Sequence, residues 1–428
     1  MTPAALPFSE TSFTLALGLL LLAPLAIGGV ALMNAGLGRS RSAAQSLLGN
    51  LVVIATAVIA FALVGWAFAA GTHPEHVFYM SGKPWNWAGA GHLFLRGLDS
   101  EPAHVQLTFL FEMFSVALAV LIPWGSGADR LRLPAGAAIA AAFGAVLFPL
   151  VAHWIWGGGW LAQLGTNFSL GSGALDVAGA ASVHVLGGLC ALAVVWIAGP
   201  RKGKFPHEGL STAMPGHNVV YVLFGCLVSL VGWLAWNMAG SLLWLDAPSS
   251  ALVITAVNTV LSASAALVAT FSVTRIRFGK PDASMCANGW LAGLVTSTAC
   301  AGVVSPPVSI LAGLVAGIVT PLLVELFELA LSIDDPSGAI TVHGAAGLWG
   351  LAVAGIFAPR PGQFLAQLIL ISTLLGLMLP LVYLIFWMMN RVLAFRVDPD
   401  GERLGMDLHE LGGNAYPEFV VHRDESYR

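Results

Sequence analysis

The chain has 428 residues, of which 57% are hydrophobic and only 9% charged, with a formal net charge of −4. Soluble globular chains carry about 25% charged residues, so this one cannot cover a water-facing surface of its size. A soluble enzyme, a nucleic-acid binder and a disordered scaffold are excluded, and a polytopic membrane protein is implied.

A membrane-crossing helix needs about 20 mostly apolar residues. Such runs predict eleven spans, at 12–34, 46–70, 105–124, 135–155, 178–198, 218–241, 251–274, 284–303, 306–330, 339–358 and 364–390. The first is expected to remain as a span, because Met1–Glu10 has no basic stretch of the kind that opens a signal peptide. The long connection 71–104 contains Trp85 and Trp87, which suit either a vestibule cap or an interfacial aromatic belt. A transmembrane unit is therefore expected over 1–390 and a polar tail over 391–428. Cys190, Cys226, Cys286 and Cys300 lie in apolar stretches without C-x-x-C spacing and read as small buried residues. No metal site or cofactor is expected.

Lysine and arginine fix the predicted orientation, since they concentrate in cytoplasmic connections. Fifteen of the 18 fall on one side if there are eleven spans: Arg39, Arg41, Arg130, Arg132, Arg201, Lys202, Lys204, Arg275, Arg277, Lys280 and five in the tail. Only Lys83, Arg96 and Arg360 fall on the other. The N-terminus is expected outside and the C-terminus in the cytoplasm.

Spans five and ten open with related segments, Asp176-VAGAASV-His184 and Asp335-PSGAITV-His343. Gly179 and Gly338, Val183 and Val342, and Gly188 and Gly347 also correspond. Five spans apart means opposite directions through the bilayer, the mark of an inverted repeat with its site between the halves. One intramembrane histidine is most simply a core residue bonded to a carbonyl. Two related by a pseudo-twofold axis point instead to a working pair, able to share a proton and hydrogen-bond a small polar solute. Asp335 reads as a helix cap. Asp176 divides evenly between capping and organising an outer cation site.

At these residues the sequence resembles the ammonium transporter/Rhesus family along essentially its whole length. The ordered pieces are Ala152–Leu161 (AHWIWGGGWL), Asp176-x7-His184, His217-Asn218, Gly232-Trp233 with Asn237, Ala287-Asn288-Gly289, Ile333–Gly344 (IDDPSGAITVHG) and Gly405–Phe419. The resemblance implies an all-α fold of eleven transmembrane helices with a 5+5 inverted repeat, the eleventh helix peripheral, assembled as a homotrimer in the cell (inner) membrane. It implies that His184 and His343 are twin pore histidines, that Trp156 walls an outer ammonium site, that Asp176 is the aspartate below it, and that Ser241 bonds the ion. Glu112 falls where the family has glutamine or glutamate. Counting along the family's aromatic gate lands on Ser115, with Phe114 one residue off, and on Trp236 beside Asn237; Val177 follows Asp176 where the family has phenylalanine. The implied function is uptake of ammonium as ammonia plus a relayed proton. A slow or non-conducting ammonium sensor and an electroneutral gas channel of Rhesus type are the alternatives. The tail resembles a regulatory C-terminus that docks P-II signal proteins.

Overall fold

The computed structural model describes residues 9–70, 77–89, 91–206, 211–245 and 247–417. Glu418 and Phe419, the end of the tail motif, lie outside these residues. Ten described helices are long and apolar enough to cross a membrane. In chain order, with the eighth expected segment included, the helices are α1 Glu10–Leu37, α2 Ser40–Ala69, α3 Ala103–Ser126, α4 Leu133–Ile155, α5 Ala180–Ala198, α6 Val219–Leu245, α7 Ser250–Phe278, α8 Ala283–Cys300, α9 Pro306–Leu329, α10 Ile340–Phe357 and α11 Gln363–Val392. A last short helix, α12, spans Pro399–Leu404. The chain is a multi-pass, mostly helical membrane protein.

Helix α8 is not among the ten, and its composition explains why. It contains Asn288, Thr296, Ser297 and Thr298, all buried. The three hydroxyl side chains bond within the bundle: Thr296 Oγ1 donates to Ala346 O (3.3 Å), Asn237 Nδ2 donates to Ser297 Oγ (3.0 Å), and Trp233 Nε1 donates to Thr298 Oγ1 (2.9 Å). A helix surrounded by other helices needs no lipid-facing apolar stripe, so hydropathy understates it. Pro24 interrupts α1, which restarts after a tight turn at Leu21–Ala23.

The two related segments have the same backbone design. Each opens with a glycine in the left-handed region, Gly179 at φ 100° and Gly338 at φ 67°, where a side chain would be strained. Each then makes one π-helical turn, Ala180–Val185 and Ile340–Ala345, before the regular helix begins. The two helices meet through backbone. A Cβ on Gly188 would lie 2.6 Å from Gly344 Cα, and one on Gly347 would lie 2.8 Å from Val185 Cγ2. Each glycine four residues after a histidine thus faces the residue just after the other histidine, as a pseudo-twofold axis requires.

At the end of the bundle away from the tail, the long connection adds a short β-hairpin. Phe78–Met80 pairs antiparallel with Lys83–Trp85, turning through Ser81 and Gly82 with both φ positive, the two-residue turn that suits a hairpin. The following residues brace the end of α4: Trp154 Nε1 donates to Trp87 O (2.8 Å), Trp160 N to Asn86 O (2.8 Å), and His153 Nε2 lies 3.1 Å from Asn86 Oδ1.

At the opposite end the tail docks rather than trailing in solvent. Its strand-like start pairs with the α3–α4 connection through Arg132 N to Phe395 O (3.0 Å) and Val397 N to Arg130 O (2.9 Å). Asp407 then accepts from Ala44 N and Gln45 N at the start of α2 (3.1 and 2.7 Å), and Glu410 accepts from Leu133 N at the start of α4 (3.0 Å). Carboxylates at helix N-termini satisfy otherwise orphaned amides and complement the helix dipole. Glu402 bonds Lys202 N and Arg396.

Beneath the tail, a buried ion network joins three connections. Arg201 pairs with Asp129 (3.0 Å) and Asp334 (2.9 Å), while Arg130 donates to the carbonyls of Gly199 and Asp334. Burial acts to raise the Asp334 pKa, but its bond to Arg201 and the charges of Arg130 and Arg201 outweigh that and hold it below its usual value.

Two outcomes follow from this packing. Gly188→Ala should destabilise the protein by about 1–3 kcal/mol, whereas Gly344→Ala, whose Cβ would have 3.7 Å of clearance, should be nearly neutral; thermal unfolding in detergent compares them. Because the Asp334 pKa is lowered on folding, its stabilisation is present above the unfolded value of about 4 and is lost as pH falls through the folded one. Asp334→Asn should cost about 3–5 kcal/mol near neutral pH, with the deficit shrinking as unfolding is followed down to acid pH.

Candidate functional site

The site begins with the two aspartates. Asp176 accepts four hydrogen bonds, from Gly179 N (2.9 Å), Ala181 N (3.1 Å), Ser182 N (3.0 Å) and Ser182 Oγ (3.0 Å). Asp335 accepts from Ile340 N (2.8 Å) and Ser337 Oγ (3.3 Å). Both carboxylates therefore cap the π-helical turn that follows, and both Asp176 oxygens are occupied by this role. With each cap eight residues before its histidine, His184 and His343 are carried to matching heights in the two half-helices.

There the rings meet. His184 Nδ1 and His343 Nδ1 are 3.1 Å apart, the ring centroids 5.1 Å apart and inclined by 21°. Both residues are almost fully buried, at 1% and 3% exposure. Two neutral imidazoles can make this contact only if one carries its proton on Nδ1 and the other on Nε2. The remaining Nε2 atoms then differ, one an acceptor and the other a donor. The His184 ring also lies parallel to Trp233 at 5.3 Å, and Trp233 is itself fixed by its bond to Thr298.

Toward the hairpin end, an aromatic cluster covers the histidines' approach. Phe111 is its centre, with ring centroids 5.5 Å from Trp156, 5.2 Å from Trp236 and 6.0 Å from Trp244. Trp156 Nε1 donates to Asp176 O (2.6 Å), and Trp236 Nε1 donates to Ala178 O (2.8 Å). The cluster is thereby tied to the segment that leads to His184. A cavity of about 260 Å³ borders it, with Trp156, Asp176, Val177, Trp244 and Arg360 in its wall.

The remaining expected residues are distributed around this axis. Ser115 is buried and donates to Phe111 O (2.9 Å), while Phe114 packs half-buried beside the cluster. Ser241 is fully buried, 3.4 Å from Thr255 Oγ1, and does not line the cavity. Asn237 ties α6 to α7 and α8 by donating to Thr259 (2.9 Å) and Ser297 (3.0 Å). Glu112 is buried in α3, and its Oε2 has no partner among the described residues. Phe111 and Trp244 lie in this cluster but were not singled out by sequence, and Trp233 entered the sequence reading only as part of the Gly232-Trp233 motif. Phe111 adjoins Glu112 in sequence, and Trp244 lies one helical turn beyond Ser241, so a search of neighbouring helical positions would have reached both.

The Ammonium Transporter Family model matches residues 13–416. The chain is 35% identical over 418 residues to ammonium transporter Amt2 of Archaeoglobus fulgidus, covering 93% of this chain and 86% of that protein. Among solved structures, one titled Sensor Amt Protein superposes with a TM-score of 0.84 at 28% identity, covering 93% of this chain and 98% of that one. Mep2 of Candida albicans superposes with a TM-score of 0.78 at 24% identity, over 96% of this chain and 91% of that one, which shows likeness of fold.

The unequal capping gives a direct comparison. Removing Asp176 orphans three backbone amides, those of Gly179, Ala181 and Ser182, whereas removing Asp335 orphans fewer, chiefly that of Ile340. An unsatisfied buried donor costs about 1–3 kcal/mol, so Asp176→Ala should lower the thermal unfolding midpoint clearly more than Asp335→Ala.

Proposed function

The chain belongs to the ammonium transporter family, and from that premise we propose that it carries ammonium across the cell (inner) membrane as ammonia plus a separately relayed proton. The observation that carries this reading is the buried Nδ1–Nδ1 contact between His184 and His343. Ammonium and potassium ions are close in size, so a cavity alone separates them poorly. Ammonium differs in that it donates hydrogen bonds and can lose a proton. A path that removes the proton before an apolar constriction excludes potassium.

In this reading the hairpin end faces outward and the tail lies in the cytoplasm, with eleven helices crossing in a 5+5 inverted repeat. Trp156 offers an aromatic face to the arriving cation, and Asp176 holds the backbone that positions both Trp156 and His184. Phe114, Ser115, Glu112, Trp236 and Asn237 shape the vestibule and gate, and Ser241 supports the outer site from below. The histidine pair then supplies one donor and one acceptor, which suits ammonia, a molecule that both donates and accepts. Three copies assemble as a trimer with one path each, and the docked tail offers its outer surface to a P-II signal protein.

A slow or sensing mode is the second reading. It is favoured by the aromatic cluster, where Trp236 and Trp244 fill space over the approach to the histidines.

Ammonium-evoked current in proteoliposomes tests the proposal. Wild type should carry current, and His184→Ala or His343→Ala should reduce it or let potassium through. Current evoked by potassium alone in wild type would overturn deprotonation before the pore, and retained ammonium binding without current would establish the sensing mode.

A further inference from the structure

The indole rings of Trp156 and Trp244 lie face to face, with an interplanar angle of 3° and centroids 5.1 Å apart. Non-bonded heavy atoms need about 3.5–4.0 Å, so a cation held between two flat rings would need them roughly 7 Å apart. On that side, the face of Trp156 is already occupied by Trp244. T-shaped contacts from Phe111 and Phe148, at 5.5 and 6.4 Å, hold Trp156 from other directions.

The tethering of the indoles is unequal. Trp156 is fixed through Nε1 to Asp176 O, and Trp236 through Nε1 to Ala178 O. Trp244 Nε1 is buried and has no hydrogen-bond partner among the described residues. A buried indole N–H without a partner disfavours the stacked arrangement, and buried Trp normally finds one. Trp244 also lies near the end of α6 and forms part of the wall of the 260 Å³ cavity. Turning into that cavity would hydrate its N–H and uncover the Trp156 face together. Arg360 lies on the same wall, and its positive charge opposes the cation there, which keeps the site weak.

The geometry points to Trp244 as a specificity-determining residue that competes with ammonium for the Trp156 face: the ion binds by displacing the Trp244 ring, and Trp244 thereby sets the affinity of the outer site. This rests on the reading of Trp156 as the cation-binding face, and the test separates the two. In proteoliposomes, Trp244→Ala should lower the ammonium concentration for half-maximal current by roughly three- to thirty-fold, the range that a cation–aromatic contact spans. Trp244→Phe, with a smaller ring and no N–H, should fall between. Trp156→Ala should raise the half-maximal concentration, and adding Trp244→Ala to it should change nothing further. An unchanged or raised value for Trp244→Ala, with Trp156→Ala still weakening, would overturn the competition while leaving Trp156 in place. No effect of Trp156→Ala would remove the cation-binding face and the competition with it. A second measurement does not depend on the alanine variant folding. Ammonium should increase acrylamide quenching of tryptophan emission in wild type, and this increment should be absent in Trp244→Phe. An equal increment in that variant, or none in wild type, would overturn displacement of the ring.

Discussion

The site depends on one close approach, the crossing of α5 and α10 where Gly188 faces Gly344. Two helices in a bundle ordinarily stand 8–10 Å apart, because their side chains keep them there. At this distance histidines on facing helices would be separated by other groups. Bare backbone at the crossing lets the helices approach until Nδ1 meets Nδ1 at 3.1 Å. The π-helical turns contribute as well, since each adds a residue to one turn and so rotates the histidine relative to the helix below it. The aspartate caps fix where those turns begin. The histidine contact is thus the end of a chain of backbone constraints, and its two halves carry the same constraints because their sequences are related.

The repeat explains how much of this was legible from sequence. Asp176, Gly179, His184 and Gly188 recur at the same offsets as Asp335, Gly338, His343 and Gly347, so spacing alone exposed the pair and its symmetry. Apolar runs located the helices, including α8, whose polar residues keep it off the set of ten. The aromatic cluster was less legible. Counting from Glu112 reaches Ser115, yet that hydroxyl is engaged by the Phe111 carbonyl, and it is the Phe111 ring that touches Trp156, Trp236 and Trp244. Which face of a helix meets the path depends on its rotation, which tertiary packing sets. The cluster of Asp129, Arg130, Arg201 and Asp334 gave no signal, because its members come from three connections far apart in sequence. Arg130 and Arg201 registered only as topology markers.

That same cluster changes the meaning of the basic residues. Positive charge on the tail side orients a chain during insertion, but Arg130 and Arg201 are buried and bonded in the folded protein. They hold together the α3–α4, α5–α6 and α9–α10 connections, two of which adjoin the half-helices carrying the histidines. The tail rests on this platform and places Asp407 and Glu410 over the first turns of α2 and α4. These contacts join the tail to the membrane-spanning helices directly. A protein that lifts the tail would have to leave several helix-terminal amides to water.

The two ends of the proposed path use polarity in opposite ways. At the hairpin end the acceptors of the segment leading into α5 are already engaged: both oxygens of Asp176 in capping, and the carbonyls of Asp176 and Ala178 by indole N–H groups. In the proposed reading a cation arriving there would meet ring faces rather than the Asp176 carboxylate, and so would be held weakly enough to move on. Deeper in, the histidine pair offers hydrogen bonds without a fixed charge. A full negative charge at that depth would trap ammonium and potassium alike, because attraction in a low-dielectric interior is strong and does not discriminate by chemistry. Neutral rings that share one proton avoid the trap. In the proposed reading they would leave selection to the capacity of the solute to give up a proton, which potassium lacks.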